Sequence, residues 1–473
     1  MTIGPFFLFC ITYIFYLLGD LSFPVGSLAI PVYFITGNAI LIILLARNYK
    51  TCLSRLRTLL KTKVGKFLLF FIIWVLITIF VSIFQGTFKL GSFFTNFIGN
   101  FFNSFLFPML LCAILIPQIK INKKLKLFLF IAYYTILIIG MIELIALTFH
   151  IEFIKNILSV LVNRTEIARD IVKTFAMAVD KPRIEAIFRE PGEYAGFLVV
   201  SSPLFFYLGN LKEKLFKNAF VDIILKKSLF ILWIFNLIKT QSPINIVFIG
   251  IVLGGWCVIN IKSIIKNIMK VHYFIAIFIS VMFIISIAIY SIYKQELFVK
   301  RIATAITNMS SVEALVEEEP SLATRICTHE AQILMGLHYP IFGVGYANMN
   351  SVWGHYVLNL PHSITPEVYK YALEGKQMGG SAFLWKIFAE TGFIGVFLLY
   401  IFWISMFNRV RKIAKNDKDK DFINAYNYSF LIYLIFSWYL MLAPVFMVYC
   451  GILLGIICKN KRNKYVLIKK VQK

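Results

Sequence analysis

Two short stretches of this chain carry side chains suited to gripping an anion and moving a proton. The first is Arg183-Ile-Glu-Ala-Ile-Phe-Arg189-Glu190-Pro191-Gly192-Glu193, where two guanidinium groups flank a turn that also holds carboxylates. A guanidinium is a planar fork of N–H donors that matches phosphate oxygens two at a time, and a carboxylate beside it can serve as a base. The second runs from Arg325-Ile-Cys-Thr-His329 through an apolar run to His338-Tyr-Pro-Ile-Phe-Gly343-Val-Gly345. Its glycines predict a tight turn that brings backbone close to a neighbour. His329, His338, His355 and His362 share this stretch. Each alone reads as structural; together they point to an acid or base without saying which. Plainer roles compete at the carboxylates too. Glu190 can simply pair with Arg189, and Glu193 can cap the helix it begins, a placement worth roughly 0.3–1 kcal/mol.

The elements that must position these residues are membrane spans. The chain has 473 residues, 59% of them hydrophobic and only 15% charged, with a mean hydropathy of +0.80. That balance excludes a soluble domain of this length and predicts a polytopic membrane protein. A net charge of +25 would suggest nucleic acid in a soluble chain. Here the basic residues collect between apolar spans, so no nucleic-acid partner is expected. The apolar N-terminus lacks a basic leader and a cleavage site and reads as a retained first helix. Of seven cysteines only Cys327 falls in a long loop, and no Cys-x-x-Cys or His-x-x-x-His spacing occurs. Neither a disulfide framework nor a metal is expected.

Twelve spans are predicted, near 3–18, 28–46, 67–84, 97–116, 127–149, 193–210, 229–240, 243–261, 271–293, 383–407, 423–440 and 443–458. The connections at 47–66, 117–126, 211–228, 262–270 and 408–421, with the tail 459–473, hold 32 of the 48 Lys and Arg residues. By the positive-inside rule these face the cytoplasm, and both termini lie inside. The organisation is then spans one to five in 1–149, a first outer loop in 150–192, spans six to nine in 193–293, a second outer loop in 294–382, and the last three spans with a basic tail in 383–473. Short helices are expected within the outer loops. The first outer loop carries Lys155, Arg164, Arg169, Lys173, Lys181, Arg183 and Arg189, against the charge bias. Lys155, Arg164 and Lys173 read as headgroup anchors, whereas Arg183 and Arg189 sit where the chain re-enters the membrane. Glu390, inside an apolar span, needs a partner or a function.

Three stretches resemble the O-antigen polymerases and O-antigen ligases, membrane glycosyltransferases of bacterial surface polysaccharides. Arg183 followed by Glu-Pro-Gly-Glu-Tyr-Ala-Gly-Phe is similar to that family's Arg and Pro-Asn leading into an alanine-containing helix. Arg325 before His-Tyr-Pro-Ile-Phe-Gly-Val-Gly-Tyr resembles its Arg and Pro-x-x-Gly-x-Gly turn. Phe383-Leu384 through Ala389-Glu390-Thr391-Gly392-Phe393-Ile394-Gly395 resembles its Phe-Leu helix with Glu-x-Gly-x-x-Gly. The likeness covers roughly 175–400. Gly380-Ser381 stand where similar ligases carry His-Asn, which favours a polymerase, and Ala186 stands where many members have glycine.

The resemblance implies a GT-C-like helical fold in the bacterial inner membrane, with the site facing the periplasm. The substrate it implies is an oligosaccharide repeat unit on undecaprenyl pyrophosphate, polymerised without metal or cofactor. Membrane lipids and a flippase and chain-length regulator of the same pathway are the implied partners. On this reading Arg183 and Arg325 hold the leaving pyrophosphate with Arg189 in support. Glu190 and Glu193 lead as bases, with His329 and His362 behind them. Tyr194, Gly343 and Gly345 join the substrate-binding residues. The rivals are a ligase and, in a different class, a flippase or other transporter, which predicts charged residues buried within helices.

Overall fold

The computed structural model describes residues 4–17, 22–25, 28–93, 97, 101–102, 104–151, 153–154, 184, 186, 188, 191–240, 242, 312–318, 320–375, 382–438 and 444–471. The chain opens with α1 (Pro5–Leu17) and a two-stranded antiparallel hairpin, β1 (Ser22–Val25) and β2 (Leu28–Pro31). Then come α2 (Val32–Leu60), α3 (Lys63–Phe84), α4 (Phe107–Leu115) and α5 (Lys123–Thr148). The middle of the chain forms α6 (Pro191–Val200), α7 (Ser202–Gly209) and α8 (Ala219–Lys239). Among the described residues there follow α9 (Val312–Glu318), α10 (Pro320–His338), α11 (Met349–Leu358) and α12 (Pro366–Leu373). The chain closes with α13 (Phe383–Ala414), α14 (Lys420–Phe436) and α15 (Pro444–Val471).

Four of the described helices are long and apolar enough to cross a membrane: α3, α5, α13 and the Pro444–Lys461 part of α15. Many of their apolar side chains point outward; on α3, Phe70 is 53% exposed and Phe84 is 77% exposed. Spans of this length with apolar side chains on their outer face suit a hydrocarbon surrounding, and the chain is a helical membrane protein.

The helix boundaries differ from the predicted spans, for identifiable reasons. Basic stretches expected as connections are continuations of α2, α13 and α15, because Lys and Arg favour helix and reach water on long apolar stems. The span expected over 193–210 is two helices broken at Ser201. Pro203 lacks an N–H, and its ring crowds the carbonyl one turn back.

Two hydrophobic cores form. The larger joins α1, α2, α3, α4, α5, α6, α7, α8, α13, α14 and α15. At its centre Gly451 and Gly455 of α15, one turn apart, let the backbone of α4 come against them at Met109 and Cys112. The smaller core belongs to the cap formed by α10, α11 and α12, with Cys327, Met335, Met349, Trp353 and Val368 inside it and Ala389 of α13 at its edge.

A chain of hydroxyls crosses the bundle. Tyr13 Oη lies 2.7 Å from Tyr133 Oη and accepts from Tyr426 Oη at 3.2 Å. Tyr133 Oη lies 2.5 Å from Tyr449 Oη, which lies 2.8 Å from Ser201 Oγ at the α6–α7 break. Away from water, such groups are costly unless paired to one another. Tyr133→Phe interrupts the chain at its middle and should cost about 1–3 kcal/mol. Thermal unfolding in detergent should register this, with Tyr134→Phe, whose hydroxyl pairs only with Ser228 in the described structure, costing less.

Candidate functional site

The turn after α10 and a break in α13 build each other. Inside α13 the backbone leaves helical geometry at Gly392, with φ +66°, a conformation open to glycine and costly elsewhere. In an unbroken helix the Phe393 N–H would bond the Ala389 carbonyl. Here Phe393 N donates to the Pro340 carbonyl at 2.8 Å, and the Ala389 carbonyl accepts from Val344 N at 2.9 Å. One helical bond has been exchanged for two bonds to the turn. No space is left between the partners. A β-carbon on Gly392 would overlap the backbone of Pro340 and Ile341, and one on Gly343 would overlap that of Glu390 and Thr391.

Helix α3 grips the turn from its other side. Trp74 Nε1 donates to the Thr391 carbonyl at 3.0 Å, and its ring stacks on Phe342 with centroids 5.2 Å apart. Thr78 Oγ1 accepts from Tyr346 N at 3.3 Å, and Ser82 Oγ accepts from Asn348 Nδ2 at 3.0 Å. Beyond the helix end, Thr87 Oγ1 donates to the Val344 carbonyl at 2.7 Å. Sequence reasoning missed this stripe. Its signal was Trp74, Thr78 and Ser82, spaced one helical turn apart in an otherwise apolar span. Gly343 and Gly345, expected among the substrate-binding residues, have their open faces filled by α13 and by Ser82 and Thr78 of α3. Their absent side chains let three protein segments touch.

The other stretch enters through α6. Ile184 N donates to the Lys239 carbonyl at 3.3 Å, and Ala186 N donates to Glu143 Oε2 at 2.6 Å. Ala186 has φ +49°, so alanine at a position often glycine in the resembled family carries a backbone cost of roughly 1 kcal/mol. Tyr194 is fully buried, stacked on Phe188, with Oη donating to Asn236 Oδ1 of α8 at 2.9 Å. It was expected to bind substrate; its hydroxyl is spent holding α6 against α8.

Arg325 brings the two stretches together. A β-carbon on Gly192, in the first turn of α6, would lie 3.1 Å from its Nη2. Half-buried Glu193 stands in that same turn. The first-turn N–H groups of a helix and a guanidinium are both electropositive, and where they converge an anion is favoured. Arg183, Arg189 and Glu190 lie outside the described residues.

The two candidate histidines are engaged elsewhere in the cap. His329, one turn beyond Arg325, accepts from the Ala382 N–H through Nε2 at 3.2 Å. Burial, and secondarily the Arg325 charge, push its pKa down to about 4. His362 places Nε2 2.7 Å from Glu330 Oε2 and Nδ1 2.9 Å from the Ser363 carbonyl. Burial alone would lower its pKa, but these two acceptors outweigh it and raise the value.

No protein-family model matches the chain, and no curated protein matches it.

Replacing Gly392 or Gly343 by Ala should cost at least about 2 kcal/mol through overlap and left-handed strain. Limited proteolysis should then cut the cap faster than in the wild type. The two histidines give the cap a stability maximum near the ordinary histidine value of 6.5. The raised pKa of His362 gives stability that is complete below that value and is lost as pH rises through the elevated one. The depressed pKa of His329 gives stability that is present above it and is lost as pH falls towards about 4. Hydrogen exchange across α10 against pH should show both limbs, with His362→Asn flattening the alkaline one and His329→Asn the acid one.

Proposed function

We propose that the chain is a membrane glycosyltransferase that polymerises oligosaccharide repeat units carried on undecaprenyl pyrophosphate, at the periplasmic face of a bacterial inner membrane. Twelve spans of a GT-C-like bundle, with both termini in the cytoplasm, complete the reading. The observation that carries it is the approach of Arg325 to the first turn of α6. That contact joins two stretches far apart in sequence whose side chains each suit an anion.

In this reaction a hydroxyl of the acceptor unit attacks the anomeric carbon of the growing glycan. The bond from that carbon to the lipid pyrophosphate breaks, and the pyrophosphate leaves with the electron pair. Arg325, Arg183 and Arg189 hold the charge that develops there, aided by the first-turn N–H groups of α6. The acceptor hydroxyl gives its proton to a carboxylate, Glu190 or Glu193. In the cap, the His329 lone pair accepts from the Ala382 N–H, and both His362 nitrogens have partners. The cap of α10, α11 and α12 covers the sugars.

The buried carboxylates weigh against the transporter reading. Glu143 accepts from Ala186 N, and Glu390 accepts from the N–H groups of Ala347 and Met349. Both are tied to the backbone of irregular segments. The ligase remains the rival of the same chemistry.

Deleting the protein from its host should leave surface lipid carrying single repeat units. Unattached polymer would indicate a ligase, and complete loss of surface glycan a flippase. Arg325→Ala should lower polymerisation of lipid-linked repeat units by purified protein by about 10²–10³-fold, with Arg325→Lys recovering part of the loss. Unchanged activity of Arg325→Ala at normal protein level would sink the assignment.

A further inference from the structure

At the end of the molecule away from the cap, α3, α13 and α15 border an open groove of about 680 Å³. Five cations line it, Lys61, Lys63, Arg409, Lys412 and Lys461, and no carboxylate does. Lys461 Nζ is bonded to the Lys61 carbonyl at 2.8 Å. Among the described residues no carboxylate pairs with Lys63, Arg409 or Lys412. Like charges gathered from three separate helices repel one another unless an anion sits among them. The groove is also lined by the first turn of α3, where the cap Thr62 accepts from Gly65 N at 2.9 Å.

Exposed apolar side chains stand on the same helices within two turns of the groove. Ile404, one turn before the lining residue Asn408, is 48% exposed, and Phe70, two turns into α3, is 53% exposed. A phosphate flanked by a hydrocarbon-covered wall is the arrangement a lipid presents and a soluble anion does not. We propose that this groove binds the headgroup of an anionic phospholipid, whose phosphate lies among Lys63, Arg409 and Lys412 and whose chains run along α3 and α13. Such a lipid clasps the two helices that hold the turn at their other end. The site is independent of the polymerase reading.

The test uses the full chain in nanodiscs of phosphatidylcholine with phosphatidylglycerol titrated in, read by native mass spectrometry of the lipids retained. Wild type should retain phosphatidylglycerol about tenfold more tightly than phosphatidylcholine. The double variant Arg409→Gln, Lys412→Gln should lose that preference, while Arg409→Lys, Lys412→Arg keeps it. The pair Lys415→Gln, Lys420→Gln, at the same end but outside the groove, should leave it intact. Equal loss in that control pair would reduce the effect to general surface charge and overturn the proposal. So would retention in the first pair. If the glutamine pair does not fold, the wild-type preference and the charge-preserving pair decide, and no preference in either overturns it. Inorganic phosphate is added as a separate arm. Displacement of the retained lipid by phosphate at matching concentration would assign the groove to a soluble anion instead.

Discussion

A helix that crosses a bilayer cannot break without finding new partners for the backbone groups it releases, because hydrocarbon offers none. The break at Gly392 meets that constraint by exchange. The Ala389 carbonyl and the Phe393 N–H, which would have bonded each other, bond Val344 and Pro340 instead. Much of the site follows from this. The turn must carry glycine where α13 presses on it, α3 must offer polar groups on the face the turn covers, and α10 must end at a fixed point. Arg325 sits three turns up a helix whose lower end is pinned in this way, so its reach to α6 is set by backbone geometry.

Buried carboxylates repeat the same device. Glu390 is 1% exposed and receives two backbone N–H groups from the segment after the turn, while its Oε2 has no hydrogen-bond partner. Glu143 is 3% exposed and receives the N–H of Ala186. Each draws an irregular segment against a helix face and supplies acceptors that the segment lacks. A loop enters the membrane region only where such acceptors exist.

Much of this could be read from residue types. Apolar runs marked the helices, and the three stretches bearing Arg183, Arg325 and Glu390 were recognisable before their geometry was known. Two of them interlock, at Gly343 and Gly392, and the second reaches the first at Gly192. What could not be read was the use to which each residue is put. A glycine pair looks the same whether a ligand or another helix fills the space beside it, and only the positions of Glu390, Thr391 and Ser82 distinguish them. Tyr194 follows the same logic, since its partner Asn236 is remote in sequence. Within the second outer loop, where short helices were expected, α10, α11 and α12 pack on one another with Trp353 and Met349 in their own core, because their apolar residues are spaced to meet. Helix ends were blurred where lysine and arginine continue a helix past the hydrocarbon.

The tyrosine hydroxyls bear on how the protein is made. Tyr13 and Tyr449 stand near opposite ends of the chain, and Tyr133 lies between them in space. A chain inserted from its N-terminus presents Tyr13 to the bilayer long before Tyr449 has been synthesised. Until then the early helices carry hydroxyls whose last partner has not arrived. The final span therefore acts as a keystone, and a ribosome stalled before it leaves an arch that the membrane machinery must hold open.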